Sequence, residues 1–238
     1  MDLSHLNRRH PALAPLRIGV LLVFAIVAIT GCKQVAFVVW GLGASTADKG
    51  RYERSIGFYN VAIKILPNFP DAYRSRGDAW LHMGDRQKAL SDYNKTIVLG
   101  PDWAPAYDSR GNFWVQGGET IDGMADYAKA IALDPNYVDA YFDRGSAFIL
   151  YAKDYGKAVG DFTKVIELGD DRGYGARGLA LTYNGDFTKA IEDFNVAIER
   201  FPNRAYLYKY RGDAWAKAGN RENAQADFTK AKQLGWAE

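Results

Sequence analysis

Five copies of the pattern Tyr-x-x-Arg-Gly stand at near-constant intervals, and spacing that regular leaves few folds open. The copies are Tyr73/Arg76/Gly77, Tyr107/Arg110/Gly111, Tyr141/Arg144/Gly145, Tyr174/Arg177/Gly178 and Tyr208/Arg211/Gly212. Their glycines step by 34, 34, 33 and 34 residues. A fixed period of this size marks a chain that stacks one small structural unit repeatedly, because a single unit cannot bury its apolar face alone.

Each glycine is followed by further marks in the same phase. The second unit shows them in full: Gly77, Trp80, Gly84-Asp85, Ala89, Asp92-Tyr93 and Pro101. The third reads Gly111, Trp114, Gly118-Glu119, Gly123, Asp126-Tyr127 and Pro135. The fifth and sixth carry Ala190, Asp193-Phe194, Pro202 and Ala224, Asp227-Phe228. The fourth has one extra residue before Ala158 and Asp161-Phe162, then a shorter loop before Tyr174.

These marks resemble the tetratricopeptide (TPR) repeat, whose pattern runs aromatic, Gly, aromatic, Ala, aromatic and Pro over about 34 residues. The likeness covers about 200 residues of this chain. It implies an all-α fold, a right-handed superhelical solenoid of six helix-turn-helix units after an N-terminal hydrophobic segment. The units fall near residues 36–69, 70–103, 104–137, 138–170, 171–204 and 205–238. One departure stands out: the residue before the first Gly, usually Leu in that pattern, is Arg in units two to six.

Each mark has a physical role. Gly77 and its equivalents lack a Cβ and let the two helices of a unit approach, and Ala89, Ala158, Ala190 and Ala224 do so from the second helix. Gly84-Asp85, Gly118-Glu119, Gly185-Asp186 and Gly219-Asn220 supply the turn, with Gly in a left-handed cap and the next residue opening the following helix. Pro67, Pro101, Pro135 and Pro202 stop the second helix. Subtracting one period from the second unit finds a first unit through Gly43, Gly50, Tyr59 and Pro67, with its first helix near residues 34–46.

In the first unit the recurring Arg and Asp become Leu42 and Phe58 together. That joint loss points to ion pairs within each unit: Arg76–Asp92, Arg110–Asp126, Arg144–Asp161, Arg177–Asp193 and Arg211–Asp227. Arginine suits such a pair because its planar fork holds a carboxylate through two bonds. The last unit replaces Ile191, Val196 and Ile198 of the fifth by Gln225, Lys230 and Lys232, the polar outer face a terminal repeat needs.

Ahead of the repeats lies a different kind of segment. Residues 1–17 are polar and basic, Ile18–Ile29 is an unbroken apolar run of 12 residues, and Thr30-Gly31-Cys32 follows. A basic start, a short apolar run and small residues describe a secretory signal peptide over 1–31. Ile29-Thr30-Gly31-Cys32 resembles the bacterial lipobox, which implies lipidation of Cys32. The alternative is an uncut anchor, since Val35–Ala44 is apolar too and the first run alone is short of the roughly 20 residues that span a bilayer. Under either reading Arg8, Arg9 and Arg17 keep the N-terminus cytoplasmic, and the body is expected in the periplasm.

Charge narrows the function. Removing Arg8, Arg9, Arg17 and Asp2 from the 30 basic and 28 acidic residues leaves 27 of each. A neutral body argues against a nucleic-acid surface, which needs concentrated Lys and Arg. The only cysteine is Cys32, and of three histidines only His82 lies in the repeats, as an expected surface residue. No zinc set, Cys–His couple, hydrolase elbow or phosphate loop can be assembled. The chain is therefore not expected to be an enzyme or to carry a cofactor or metal.

What remains is a binding surface. By resemblance, the first helix of each unit lines a groove that holds a partner's peptide or helix. The residues flanking the structural Tyr and Gly are Arg74, Asp78, Asp108, Asn112, Phe142, Ser146, Lys209 and Asp213. They vary while the frame repeats, as a specific groove or a plain solvent-facing surface would both allow. The leading expectation is a membrane-anchored adaptor of the bacterial envelope that binds other proteins, and the alternative is a structural subunit of a membrane-associated complex.

Overall fold

The computed structural model describes the backbone from Ala14 to Ala237 and the side chains from Gly31 onward. The side chains of the expected signal or anchor segment, including Arg8, Arg9 and Arg17, lie outside the described residues. Among the described residues there are twelve α-helices and no strand, and the chain divides into two compact bodies, residues 1–99 and 100–238.

The first body holds α1 (Ala14–Ala47), α2 (Tyr52–Ile65), α3 (Pro70–His82) and α4 (Arg86–Leu99). The second holds α5 (Ala104–Gly117), α6 (Thr120–Leu133), α7 (Val138–Ala147), α8 (Tyr155–Glu167), α9 (Arg172–Asn184), α10 (Phe187–Arg200), α11 (Ala205–Lys217) and α12 (Arg221–Gln233). Consecutive helices pair as α1/α2, α3/α4 and so on, which is the helix-turn-helix solenoid fold. The first helix does not begin near residue 34: α1 is one continuous helix of 34 residues. No proline interrupts it beyond its first turn. Within the described residues no helix is long and apolar enough to cross a membrane.

Local chemistry sets the helix ends. The turn residues Gly50, Gly84, Gly118, Gly185 and Gly219 have φ between 69° and 95°, a left-handed region that costs a residue with a Cβ roughly 1–2 kcal/mol. Asp85, Asp154 and Asn220 then accept hydrogen bonds from the backbone N–H three residues on, capping α4, α8 and α12. Glu119 and Asp186 make no such cap. The second helices α2, α4, α6 and α10 end two residues before Pro67, Pro101, Pro135 and Pro202. Pro70 and Pro105 sit in the first turns of α3 and α5, where a missing N–H costs nothing.

Within each pair the glycine of the first helix faces the aromatic ring of the second. A Cβ on Gly77 would lie 2.9 Å from Tyr93, on Gly111 2.8 Å from Tyr127, and on Gly43 2.5 Å from Tyr59. Those contacts are closer than carbon atoms tolerate, so the absent side chain is what lets the ring in. Tyr59, Tyr93, Tyr127, Phe162 and Phe194 are all at most 2% exposed, and Ala89, Ala158 and Ala190 are wholly buried. Phe228 of the last pair is only half-buried. Trp236 turns back there, its backbone N–H bonding the Ala231 carbonyl at 3.0 Å and its ring meeting Tyr210 edge-on. Gln225, Lys230 and Lys232 are exposed on α12.

The irregular fourth unit has a concrete explanation. Its extra residue is absorbed where α7 widens into a five-residue π-helix, Phe148–Ala152. A π turn holds one more residue than an α turn, so the later marks regain their phase. Lys153 then takes the left-handed turn position with φ 53°, the one non-glycine there among the described residues. The shortened loop that follows is braced by Arg172, which bonds Asp170 at 2.8 Å and Asp139 at 2.9 Å.

Candidate functional site

The ion pairs are bidentate in all five units. Nε and Nη2 of Arg76, Arg110, Arg144, Arg177 and Arg211 donate to the two carboxylate oxygens of Asp92, Asp126, Asp161, Asp193 and Asp227, at 2.7–2.9 Å. The aspartates are 5–7% exposed, while the arginine side chains keep 20–24%. Each guanidinium also lies 5.4–6.0 Å from the ring of its own unit's Tyr. The bond to the carboxylate is the first cause holding Arg76, Arg110, Arg144 and Arg177 above the usual arginine range. Leu42, at the equivalent place in the first unit, is 51% exposed.

Arg76, Arg177 and Arg211 reach further, to the preceding pair. Nη1 of Arg76 donates to Asn60 at 2.6 Å, Arg211 to Asn195 at 2.7 Å, and Arg177 to the Thr163 hydroxyl at 3.2 Å. Asn60, Thr163 and Asn195 each follow the buried aromatic of the second helix. Sequence reasoning missed these bonds between units, although the recurrence of a short polar residue at that register was visible.

The residues expected to meet a partner are largely engaged with the chain itself. Asp78 accepts from the Tyr93 hydroxyl at 2.8 Å and pairs with Arg74 at 3.5 Å. Asn112 accepts from Tyr127 at 2.7 Å and donates to Asp143 at 2.6 Å. Asp108 is 6% exposed and accepts from the Tyr137 hydroxyl at 3.3 Å. Phe142 packs edge-on against Phe162 with the Arg172 guanidinium 5.0 Å away, and Ser146 bonds its own helix at the Phe142 carbonyl. Lys209 and Asp213 pair with each other. The reason is positional. In the two units whose buried aromatic is Tyr93 or Tyr127, the residue after the structural glycine is the acceptor that the facing hydroxyl reaches, and it is spent there.

An open hollow remains in the first body. It has a volume of about 370 Å³ and lies between α1, the start of α2, and α3, lined by Trp40, Asp48, Tyr52, Arg74, Asp78 and His82 over a floor that includes Tyr59. Its walls are stiff: Trp40 Nε1 donates to the Ser75 hydroxyl at 3.0 Å, and Tyr52 stacks on His82 at 4.3 Å with an interplanar angle of 5°. Burial first, then the Asp78 carboxylate, push the Tyr59 hydroxyl up to about 12. His82, solvent-exposed as a side chain, is thus also one wall of this hollow. In the second body a smaller hollow of about 210 Å³ lies beside Lys209, Asp213, Phe228 and Trp236. Rigid aromatic walls with carboxylates at the rim can hold an extended segment with polar or aromatic side chains.

Among the described residues no group of three His, Cys, Asp or Glu side chains could hold a metal ion. Cys32 is a free, exposed thiol on α1.

Comparison with known proteins agrees with this geometry. Residues 176–238 match the family model of the tetratricopeptide repeat. No protein of curated function matches the sequence. Among solved structures, PilW, described as a widely conserved type IV pilus biogenesis factor, is 17% identical with a TM-score of 0.75, over 86% of this chain and 96% of that one. PilF of Pseudomonas aeruginosa is 16% identical with a TM-score of 0.74, over 86% and 94%. YrrB, described as a TPR protein with an unusual peptide-binding site, is 21% identical with a TM-score of 0.60, over 74% and 92%. At these identities the likeness is one of fold. TPR proteins in general mediate contacts between proteins, and the fold is typically a non-catalytic scaffold.

Proposed function

We propose that this chain is a protein-binding adaptor of the bacterial cell envelope, tethered to the membrane through its N-terminal segment and recruiting segments of partner proteins outside the cytoplasm. The observation that carries the reading is the first-body hollow. It is the place where the expected groove residues Arg74 and Asp78 stand beside open volume, with Trp40, Tyr52 and His82 as preorganised walls. Fixed aromatic walls lower the ordering cost of binding. The partners are proteins, and neither nucleic acid nor a small-molecule substrate is part of the proposal.

The tether is supported by sequence and by helix continuity. The apolar run Ile18–Ile29 belongs to the same helix, α1, that opens the first repeat. Intact mass of the purified chain decides its form. A species beginning at diacylated Cys32 establishes a lipoprotein, and one retaining Met1 establishes an uncut anchor. A soluble, unmodified chain lacking residues 1–31 refutes the tether.

Capture from cross-linked membranes tests the adaptor reading. Wild type should retain partners that Trp40→Ala combined with Asp78→Ala releases. Identical recovery from both would refute the hollow as the binding site. One observation favours the second reading, a structural subunit of a membrane-associated complex: the outer face of α1 is bare and apolar.

A further inference from the structure

The first-body hollow exists because the first unit departs from the next two at one register. Behind the structural glycine, units two and three place Asp78 and Asn112, which accept the hydroxyls of Tyr93 and Tyr127. The first unit has Ala44 after Gly43, a methyl group that fills little space and offers no acceptor. Ala47, also on the lining, is equally small. Room is left above Tyr59, and the charges around it come from the turn after α1 and from α3.

Those charges are unequal. Asp48 and Asp78 line the hollow against the single guanidinium of Arg74. Arg74 stands 3.5 Å from one Asp78 oxygen, a looser pair than Arg76 and Asp92 at 2.7 Å. The Tyr59 hydroxyl on the floor registers the balance. Burial and then Asp78 raise its pKa and Asp48 adds to them, while the Ser75 hydroxyl and Arg74 act the other way, Arg74 most weakly. The summed charge therefore leaves the floor at negative potential.

Asp78 lies on a concave wall. Its side chain is 43% open to water, yet the surrounding protein still holds its carboxyl above the usual carboxylate range, chiefly by burial. An apolar occupant would strip that water away and add to the cost, whereas a cation offsets it. The walls suit the same charge. Trp40 is fixed by its bond to Ser75 and Tyr52 by its stack on His82, and ring faces attract an ammonium or guanidinium group. The chain makes this contact elsewhere, with Lys88 Nζ 4.3 Å from the Trp80 ring centroid.

We propose that the hollow receives a basic side chain, lysine or arginine, of the partner segment, with its charge between Asp48 and Asp78 and its stem along Trp40 and Tyr52. The inference rests on the reading of the hollow as the protein-binding site. It holds equally for a cleaved and an uncut chain, since every lining residue follows Cys32.

Short fluorescent peptides that share a Gly/Ser/Tyr frame, with paired central positions filled by Arg, Lys, Glu or Leu, provide the test. Each is titrated into the full-length chain in non-ionic detergent and followed by fluorescence anisotropy. The Arg and Lys peptides should bind, and the Glu and Leu peptides should not. Asp48→Asn combined with Asp78→Asn should weaken the basic peptides about tenfold, as expected for losing two partly exposed charge contacts. Helical content should be unchanged, because an amide accepts a tyrosine hydroxyl as Asn112 does from Tyr127. If the double variant loses helix, Asp48→Asn alone, at an exposed turn residue, decides by the same criterion. Preference for the Glu or Leu peptide, binding of none, or basic-peptide affinity that survives loss of the carboxylates overturns the proposal. Leu or Glu peptides released by Trp40→Ala with Asp78→Ala would keep the hollow as a protein-binding site and remove only its charge preference. Basic peptides lost with the carboxylates, beside membrane capture that the same substitutions leave untouched, would keep the cation site and refute the adaptor reading.

Discussion

Truncating Arg144 to alanine isolates the energetic worth of the recurring ion pair. Arg144 is the clean case because the residue that would extend its contacts to the preceding pair is Ala128, where Arg76, Arg177 and Arg211 find Asn or Thr. Its two bonds to Asp161, at 2.9 and 2.7 Å, are charge-assisted, and such bonds make a net contribution of roughly 1.5–3 kcal/mol each. The Asp161 side chain is 8% exposed and that of Arg144 23%. Breaking a fully buried pair costs about 3–5 kcal/mol because the surviving charge is stranded. Water entering the space vacated by a partly exposed guanidinium recovers some of that. We therefore expect a loss of about 2–3 kcal/mol, read from urea unfolding followed by circular dichroism. The midpoint and the slope are compared together, because repeat arrays need not unfold in one step. Adding Asp161→Ala removes the stranded carboxylate, so the double variant should be no less stable than the single one. A loss below about 1 kcal/mol would place the pair among ordinary surface ion pairs and refute the argument.

Further expectations follow from the packing. Gly111→Ala drives a Cβ to 2.8 Å from Tyr127 and 3.2 Å from the Gly123 carbonyl, and should cost about 1–3 kcal/mol. Gly160→Ala, at an exposed helical site with open space around it, should instead gain about 0.5–1 kcal/mol, and thermal unfolding of the two compares them directly. Lys153→Gly relieves a left-handed lysine, worth roughly 1–2 kcal/mol, against the added freedom of glycine in the unfolded chain, for a net gain of about 0.5–1 kcal/mol. A lower melting temperature would mean that the π-helix, not the turn, sets the local strain. Burial, and then the neighbouring Asp78, hold the Tyr93 hydroxyl far above its ordinary range. The unfolded chain therefore loses that proton from about pH 10 upward while the folded chain keeps it, and stability falls as pH rises through that point. Tyr93→Phe, the residue type used at Phe162 and Phe194, should flatten the decline in melting temperature between about pH 9 and 11. An unchanged slope would exclude Tyr93 as its source.

The sequence by itself determined the period, and with it the helix pairs, their turns and the glycine-to-ring contacts. Those features depend on residues close in the chain: Gly84 sets its turn, Pro101 bars a helix, and Gly77 faces Tyr93 because both lie at fixed register within one hairpin. The extra residue of the fourth unit was visible too, but not its accommodation, since an insertion can be absorbed in a loop or within a helix. Only the tertiary structure decided that, through the π-helix before Lys153. It also decided which polar residues are available. Asp78, Asp108 and Asn112 look like free surface in sequence, yet tyrosine hydroxyls claim them, because hydrogen-bond geometry between helices depends on distances that a linear pattern does not contain. For the same reason Arg76 and Arg211 reach asparagines of the pair before them, and the first pair keeps both an open hollow on one side and an uncovered apolar stripe on the other.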